Sequence, residues 1–373
     1  MVGTKATTDL FPFLQPEHSM KSTLTKIAVI TPLTLAVGLA FSAGREPAPK
    51  DKPKELKPLI VTAVATSAAP KLDGDASDAI WKSAPVTKLN AVKGCNFKGG
   101  KTNATVQVAY DKENIYMLIA YDDPSESVRR SPYQKQADGS WQKLKDPDDK
   151  GGDNCVYYED KIGVQWNISV VGFEKFGCAI SCHGGEPGKP YGNKYNEEAG
   201  ELSDMWHMKW VRTGPVGQID DGYVDHTRFN PEKDKNAGRK TDPKTGGGYE
   251  DVKLVNGKPE FMNKDGKPAN KGGTYWLKAD DKVPFDDSKF KAGDEIASIM
   301  IAAFAGDRGD VKFAAKWVKG KWAMEIQRKL VTGSKFDVQF DDMKKAYYFG
   351  IALFDNAQVR HAMVEEPLVL QFK

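Results

Sequence analysis

Apolar and polar residues alternate with a period of two along much of the chain. Residues 104–110 (ATVQVAY) place every second side chain on an apolar face, and 111–114 (DKEN) then supply a turn. Residues 115–121 (IYMLIAY) are more continuously apolar, the pattern of a strand covered on both faces. The same reading predicts strands over 161–171, 299–305, 311–318, 322–330, 347–354 and 368–372. Lys319-Gly320-Lys321, between two of them, marks a hairpin. No long stretch carries helical periodicity. The fold expected is all-β, an antiparallel β-sandwich with long loop insertions.

Two polar stretches interrupt the strands. Residues 125–155 form one. Residues 228–273 form the other, dense in Lys, Asp, Gly and Asn and containing Gly246-Gly247-Gly248. Loops this long are functional or simply solvated excursions, and solvated excursions are expected here. With neither a second apolar core nor an internal repeat in the pattern, residues 71–373 read as one domain.

The start of the chain differs. Residues 27–39 are apolar apart from Thr31, Pro32 and Thr34, follow Lys21 and Lys26, and precede Ala40-Phe41-Ser42. That order of basic, apolar and small residues is the pattern of a secretory signal peptide. Its apolar run is short for a bilayer span. Residues 1–42 are therefore read as an upstream segment plus signal peptide, with Met20 as the natural start. Residues 43–70, rich in Pro, Lys and Ala, read as a flexible leader. The expected location is exported, in the periplasm or an equivalent internal compartment, and not membrane-embedded. The whole chain carries a formal charge of +3. That near balance removes the electrostatic case for a nucleic-acid partner.

Export changes the meaning of the four cysteines, because an oxidising compartment pairs or uses them. Cys178-Ala179-Ile180-Ser181-Cys182-His183 is C-x3-C-H, one residue longer than the usual haem c attachment motif. Two thiols there add to the haem vinyl groups, and the adjacent imidazole binds the iron. A disulfide or a zinc site would use the same residues. Zinc, however, needs four ligands, and no second paired motif supplies them. The cofactor expected is one covalent haem c. Its binding residues are Cys178, Cys182 and His183, with His183 as an iron ligand.

The second iron ligand is sought in 203–210 (SDMWHMKW). In a strand, Trp206, Met208 and Trp210 share one face, while His207 and Lys209 share the other. His207 is the leading candidate, Met208 the runner-up and His361 a weaker third. Cys95 and Cys155 remain and are expected to form a disulfide.

Several segments together resemble a known family. Residues 71–81 (KLDGDASDAIW) look like the opening of the family 9 carbohydrate-binding-like, or DOMON-like, sandwiches, and 111–116 (DKENIY) like their first hairpin. The cysteine segment 177–185, the D-x-W-H-x-K segment 204–209, and 309–312, 319–322, 328–330 and 349–352 narrow the likeness. They are similar to the haem-binding γ-subunits of ethylbenzene dehydrogenase and other dimethyl-sulfoxide-reductase-type molybdoenzymes, with nitrite oxidoreductase γ-subunits among the members most suggested. The resemblance implies an electron-transfer subunit, not itself catalytic. Its partners would be iron–sulfur and molybdenum subunits and a downstream electron carrier. Members without the cysteines hold haem b between a Met and a Lys. The loop that would carry that Met holds Cys178, Cys182 and His183 here, and Lys312 and Lys316 are the nearest matches to the Lys. The resemblance leaves room for an additional haem b. Two other readings stand beside it: a stand-alone periplasmic cytochrome, and a carbohydrate-binding module that stacks sugars on Trp206 and Trp210.

Overall fold

The structure is a computed structural model that describes residues 54–149 and 151–373. The expected signal peptide lies outside the described residues. Thirteen strands form the main sheet system. The first six are β1 (Leu59–Ala65), β2 (Thr87–Val92), β3 (Thr102–Tyr110), β4 (Asn114–Asp122), β5 (Lys161–Asn167) and β6 (Ser203–Lys209). Then come β7 (Gly222–Val224), β8 (Arg239–Thr241), β9 (Lys312–Trp317) and β10 (Lys321–Lys329). The last three are β11 (Tyr347–Phe354), β12 (Ala362–Val364) and β13 (Leu368–Phe372). Among the described residues, helix is confined to short pieces such as Ala79–Ser83 and Phe173–Phe176. Among the described residues, no helix is long and apolar enough to cross a membrane.

One run of strands is β8-β7-β6-β5-β11 and another is β3-β4-β10-β9. They are joined twice. The C-terminal half of β11 reaches β3 through β12 and β2, and its N-terminal half reaches β3 through β13 and β1. Between them lies a core fed by alternate residues. Ile162, Val164 and Trp166 of β5, Trp206 and Met208 of β6, and Phe349, Ile351 and Leu353 of β11 belong to one buried cluster with Val106, Ile119, Trp322 and Ile326. Trp166 stacks on Phe349 at 4.4 Å. Removing a ring packed this way costs about 3–5 kcal/mol. The expected hairpin joins β9 to β10 through Lys319 and Gly320, both with positive φ, as a tight two-residue turn requires.

Two expectations need correction. Residues 59–65 are not flexible leader: β1 pairs in parallel with both β13 and β3, and buries Val61 and Ala63. These are the parallel pairings in an otherwise antiparallel main sheet. The two polar insertions also hold a second apolar cluster. Tyr133 and Trp141 from the first pack with Val252, Met262, Leu277, Phe290 and Met300 from the second and its continuation. The predicted strand at 299–305 belongs to this lobe, paired with Gly246–Asp251. Cys95 and Cys155 form the expected disulfide, with Cα atoms 6.6 Å apart.

Candidate functional site

Residues of β5, β6 and β11 that do not face the core form the floor of a cavity. Register arranges them in three rows. Gly350, Gln165 and Met205 make the first, Ala352, Gly163 and His207 the second, and Phe354, Lys161 and Lys209 the third. All nine line one cavity of about 630 Å³. That volume falls within the usual range of small-molecule and cofactor sites. The floor is low where Gly350, Ala352 and Gly163 adjoin, because their side chains are small. A Cβ on Gly163 would meet only the Ala352 methyl, at 3.8 Å. A Cβ on Gly350 would strike Cys178 Sγ at 2.7 Å, so the thiol rests directly on the β11 backbone.

The cysteine segment forms one wall. A short turn, Gly177–Ser181, presents Cys178, and Cys182–His183 then pairs with Asn193–Lys194. Both thiols line the cavity. Burial, reinforced by Cys182, pushes the Cys178 thiol up to about 11. Lys194 Nζ lies 2.8 Å from Cys182 Sγ. Burial opposes the charge on Lys194, but the two thiols hold its pKa above the ordinary lysine value. The His183 ring stacks on Tyr195 at 3.5 Å, and its Nε2 lies 2.8 Å from the Tyr195 carbonyl oxygen.

Two further imidazoles enter the cavity. His207 is buried, and its Nε2 has no hydrogen-bond partner. His361 likewise leaves Nδ1 unpartnered. Burial, and then the positive charges of Lys209 and Lys161, hold His207 well below the ordinary histidine value. Burial, and then Lys194 and Lys161, lower His361 to about 3. Both are therefore neutral at physiological pH, each with a ring nitrogen that nothing in the protein occupies. A neutral imidazole in that state is a metal ligand in waiting.

The electrostatics are one-sided. Among the described residues no Asp or Glu lines the cavity, whereas Lys161, Lys194, Lys209, Arg212, Arg239 and Arg360 all do. Some are balanced from behind: Lys209 pairs with Asp220, Arg212 with Glu159 at 2.5 Å, and Arg360 with Asp153 at 2.6 Å. Lys161 is 2 % exposed and donates to the Gln358 carbonyl at 2.8 Å. Its Nζ lies 4.0 Å from the Phe354 ring centroid. Burial, followed by Arg212, drives its pKa well below the ordinary lysine value. A buried amine with no carboxylate paired to it among the described residues regains its charge most readily beside an anionic ligand.

The sequence candidates divide cleanly. Cys178, Cys182, His183, His207 and His361 converge on the cavity. Met208 does not: it shares the core face of β6 with Trp206 and is fully buried there, because neighbours on a strand point to opposite sides. Lys312 and Lys316 are exposed on β9, away from the cavity lining. Trp206 is 1 % exposed, half-buried Trp210 packs edge-on against Trp322 at 4.7 Å, and neither lines the cavity. The sequence reading missed Lys161, Lys194, Gly163, Gly350 and Ala352. Its available signal was the isolated glycine within two apolar strands, which marks close approach of backbone or ligand.

The residues fit a haem: paired thiols on one wall, imidazole nitrogens without a partner among the described residues, a low strip of Gly163, Gly350 and Ala352 in the floor, and a cationic lining for two carboxylates.

A family model described as ethylbenzene dehydrogenase matches residues 78–365. The search of curated proteins returned no match. Among solved structures, the chain is similar to a family 9 carbohydrate-binding module from Caldicellulosiruptor kristjanssonii. In complex with glucose it shows 11% identity and a TM-score of 0.32, covering 84% of this chain and 95% of that one. In complex with cellotriose it shows 12% identity, the same TM-score and the same coverage. A likeness this weak carries nothing about sugar binding.

Proposed function

The chain belongs to the ethylbenzene dehydrogenase family, and from that premise we propose that it is the haem-bearing γ-subunit of a molybdoenzyme oxidoreductase complex. Its task is electron transfer through one covalently attached haem c, with no substrate chemistry of its own. One observation carries the reading: the thiols of Cys178 and Cys182 and the unpartnered Nε2 of His207 share one cavity that, among the described residues, no acidic side chain lines. When bound, haem supplies one-electron exchange between ferric and ferrous iron.

The residues divide the work. Cys178 and Cys182 hold the macrocycle through thioether bonds. His183 and His207 are the proposed iron ligands, and His183 must give up its contact with the Tyr195 carbonyl to serve. His361 is the alternative to His207. Lys161 and the neighbouring Arg and Lys side chains hold the two propionates. Gly163, Ala352 and Gly350 would leave room for the ring over the sheet, with Met205 and Phe354 as its apolar contacts. The complex proposed around this subunit contains iron–sulfur and molybdenum subunits, with a nitrite oxidoreductase type as the finer reading. The compartment proposed is the periplasm or its internal equivalent, since c-type attachment takes place after export.

The test uses exported, purified protein. Haem absorbance that stays with the protein through acid–acetone extraction supports the reading. Cys178→Ala/Cys182→Ala should release it. Extractable haem in the wild type, or none at all, would sink the c-type assignment. Co-purification with large molybdenum and iron–sulfur subunits separates a complex subunit from a free cytochrome.

A further inference from the structure

Away from the cavity, the protein gathers carboxyl groups at the point where the insertion lobe leaves and rejoins the sandwich. Asp221 precedes β7, Asp242 follows β8, Asp310 precedes β9, and Asp337 lies in the connection before β11. One carboxylate oxygen from each of Asp221, Asp310 and Asp337 lies within 4.8 Å of the other two. Asp242 is the separate and stronger sign. It is 2 % exposed, and among the described residues neither of its carboxylate oxygens meets an N–H or hydroxyl donor; the group within hydrogen-bonding reach is another carboxyl, Asp337. Its neighbours are themselves carboxyls: Asp337 foremost, then Asp204 and Asp310.

The group is short of positive charge. Arg328 is the cation paired with it among the described residues, 3.3 Å from Asp337 and 3.9 Å from Asp204. Five carboxyls thus face one guanidinium. Asp204 Oδ1, Asp221 Oδ2, Asp310 Oδ1 and Asp337 Oδ1 are buried without an N–H or hydroxyl donor among the described residues, as are both oxygens of Asp242. Buried carboxylates left this way cost several kcal/mol each unless they are protonated or neutralised. A hard divalent cation removes that cost. Ca²⁺ takes six to eight oxygens at about 2.3–2.6 Å and tolerates irregular geometry, whereas Mg²⁺ demands a near-ideal octahedron and keeps its waters.

We propose that Asp221, Asp242, Asp310 and Asp337 form a structural Ca²⁺ site. Asp204 pairs with Arg328 behind it. Asp310, the half-buried member, gives the ion its way in. The consequence is mechanical. Asp242 and Asp310 bracket residues 243–309, so one ion pins both ends of the lobe to the sandwich. This proposal does not depend on haem.

The test takes the full-length protein, stripped with EDTA and desalted, and titrates it with CaCl₂ by calorimetry. Thermal unfolding and limited proteolysis within 243–309 are followed in EDTA and in Ca²⁺. One ion bound per chain, a higher midpoint and a protected lobe are expected, with Mg²⁺ at least tenfold weaker. Asp242→Asn and Asp310→Asn should each cost at least tenfold in affinity and leave any haem absorbance unchanged. The proposal is overturned if the wild type takes up no Ca²⁺ and melts alike in both buffers. It is equally overturned if both variants bind Ca²⁺ as the wild type does.

Discussion

His207→Leu separates what the cavity needs for stability from what it needs for function. The native imidazole is buried with Nε2 unpartnered. A buried polar atom left unsatisfied costs about 1–3 kcal/mol. Leucine removes that atom and fills a similar space. Its neighbours in the row, Gly163 and Ala352, are small enough to accept the change. In protein produced without haem and with its cysteines intact, the substitution should therefore stabilise by about 1–3 kcal/mol. Unfolding entropy of about 2.1 cal/mol/K per residue, over roughly 320 residues, converts this to a rise of about 1.5–4.5 °C in Tm. In the haem-bearing protein the same change removes the proposed iron ligand. The reduced absorption spectrum should shift, and haem-bearing His207→Leu should melt below haem-bearing wild type. Differential scanning calorimetry and visible spectroscopy on the four proteins give the answer. A lower Tm in the haem-free pair, with an unchanged spectrum in the haem-bearing pair, would refute both halves of the argument.

Three other outcomes follow from the geometry. The unfolded chain protonates His361 near pH 6.5, whereas the folded protein does so only near 3. Haem-free stability should therefore be full above about pH 6.5 and fall on acidification toward 3, by about 1.4 kcal/mol per pH unit for this one group. Urea midpoints at pH 7, 6, 5 and 4 should show a shallower fall for His361→Leu; parallel curves would contradict it. Gly350→Ala drives a methyl onto Cys178 and should cost about 1–3 kcal/mol, while Gly163→Ala should be nearly neutral in haem-free protein. Equal melting temperatures for the two variants would contradict that ranking. Reducing the Cys95–Cys155 bridge opens a loop with a sequence separation of 60, for which chain entropy alone gives about 4 kcal/mol. Denaturant midpoints with and without dithiothreitol measure it, and coincident curves would show that the bridge contributes nothing.

The strands were legible because their period is local. Residues 347–354 and 368–372 read as strands from alternation alone and form β11 and β13 over those residues. β1 was not legible as structure. Its alternation is short, it sits among Pro and Lys, and its partner β13 lies at the far end of the chain. The second core escaped for a related reason. Tyr133, Trp141, Met262, Leu277, Phe290 and Met300 stand singly among polar residues and gather only in three dimensions. At the site, type and spacing singled out Cys178, Cys182, His183 and His207, and all four line one cavity. Parity placed His207 and Met208 on opposite faces of β6, and only the register of the neighbouring strands shows which face meets the cavity. The floor could not be read in advance. Placing Gly163 beside His207 and Ala352 requires the register of three strands remote in sequence.

The parallel seam of β1 with β13 sets an order of events during synthesis. Leu59 lies opposite Leu368 and Ala63 opposite Phe372. As the chain is made, β1 can dock on β3 early, but its other edge waits until residues 368–372 have emerged. The N-terminal half of β11 waits for the same segment. Until then the sandwich is a sheet with one corner undone, and an open strand edge is a template for mispairing with another chain. β13 is the latch that ties β1 to the N-terminal half of β11 and so completes the second join between the two strand runs.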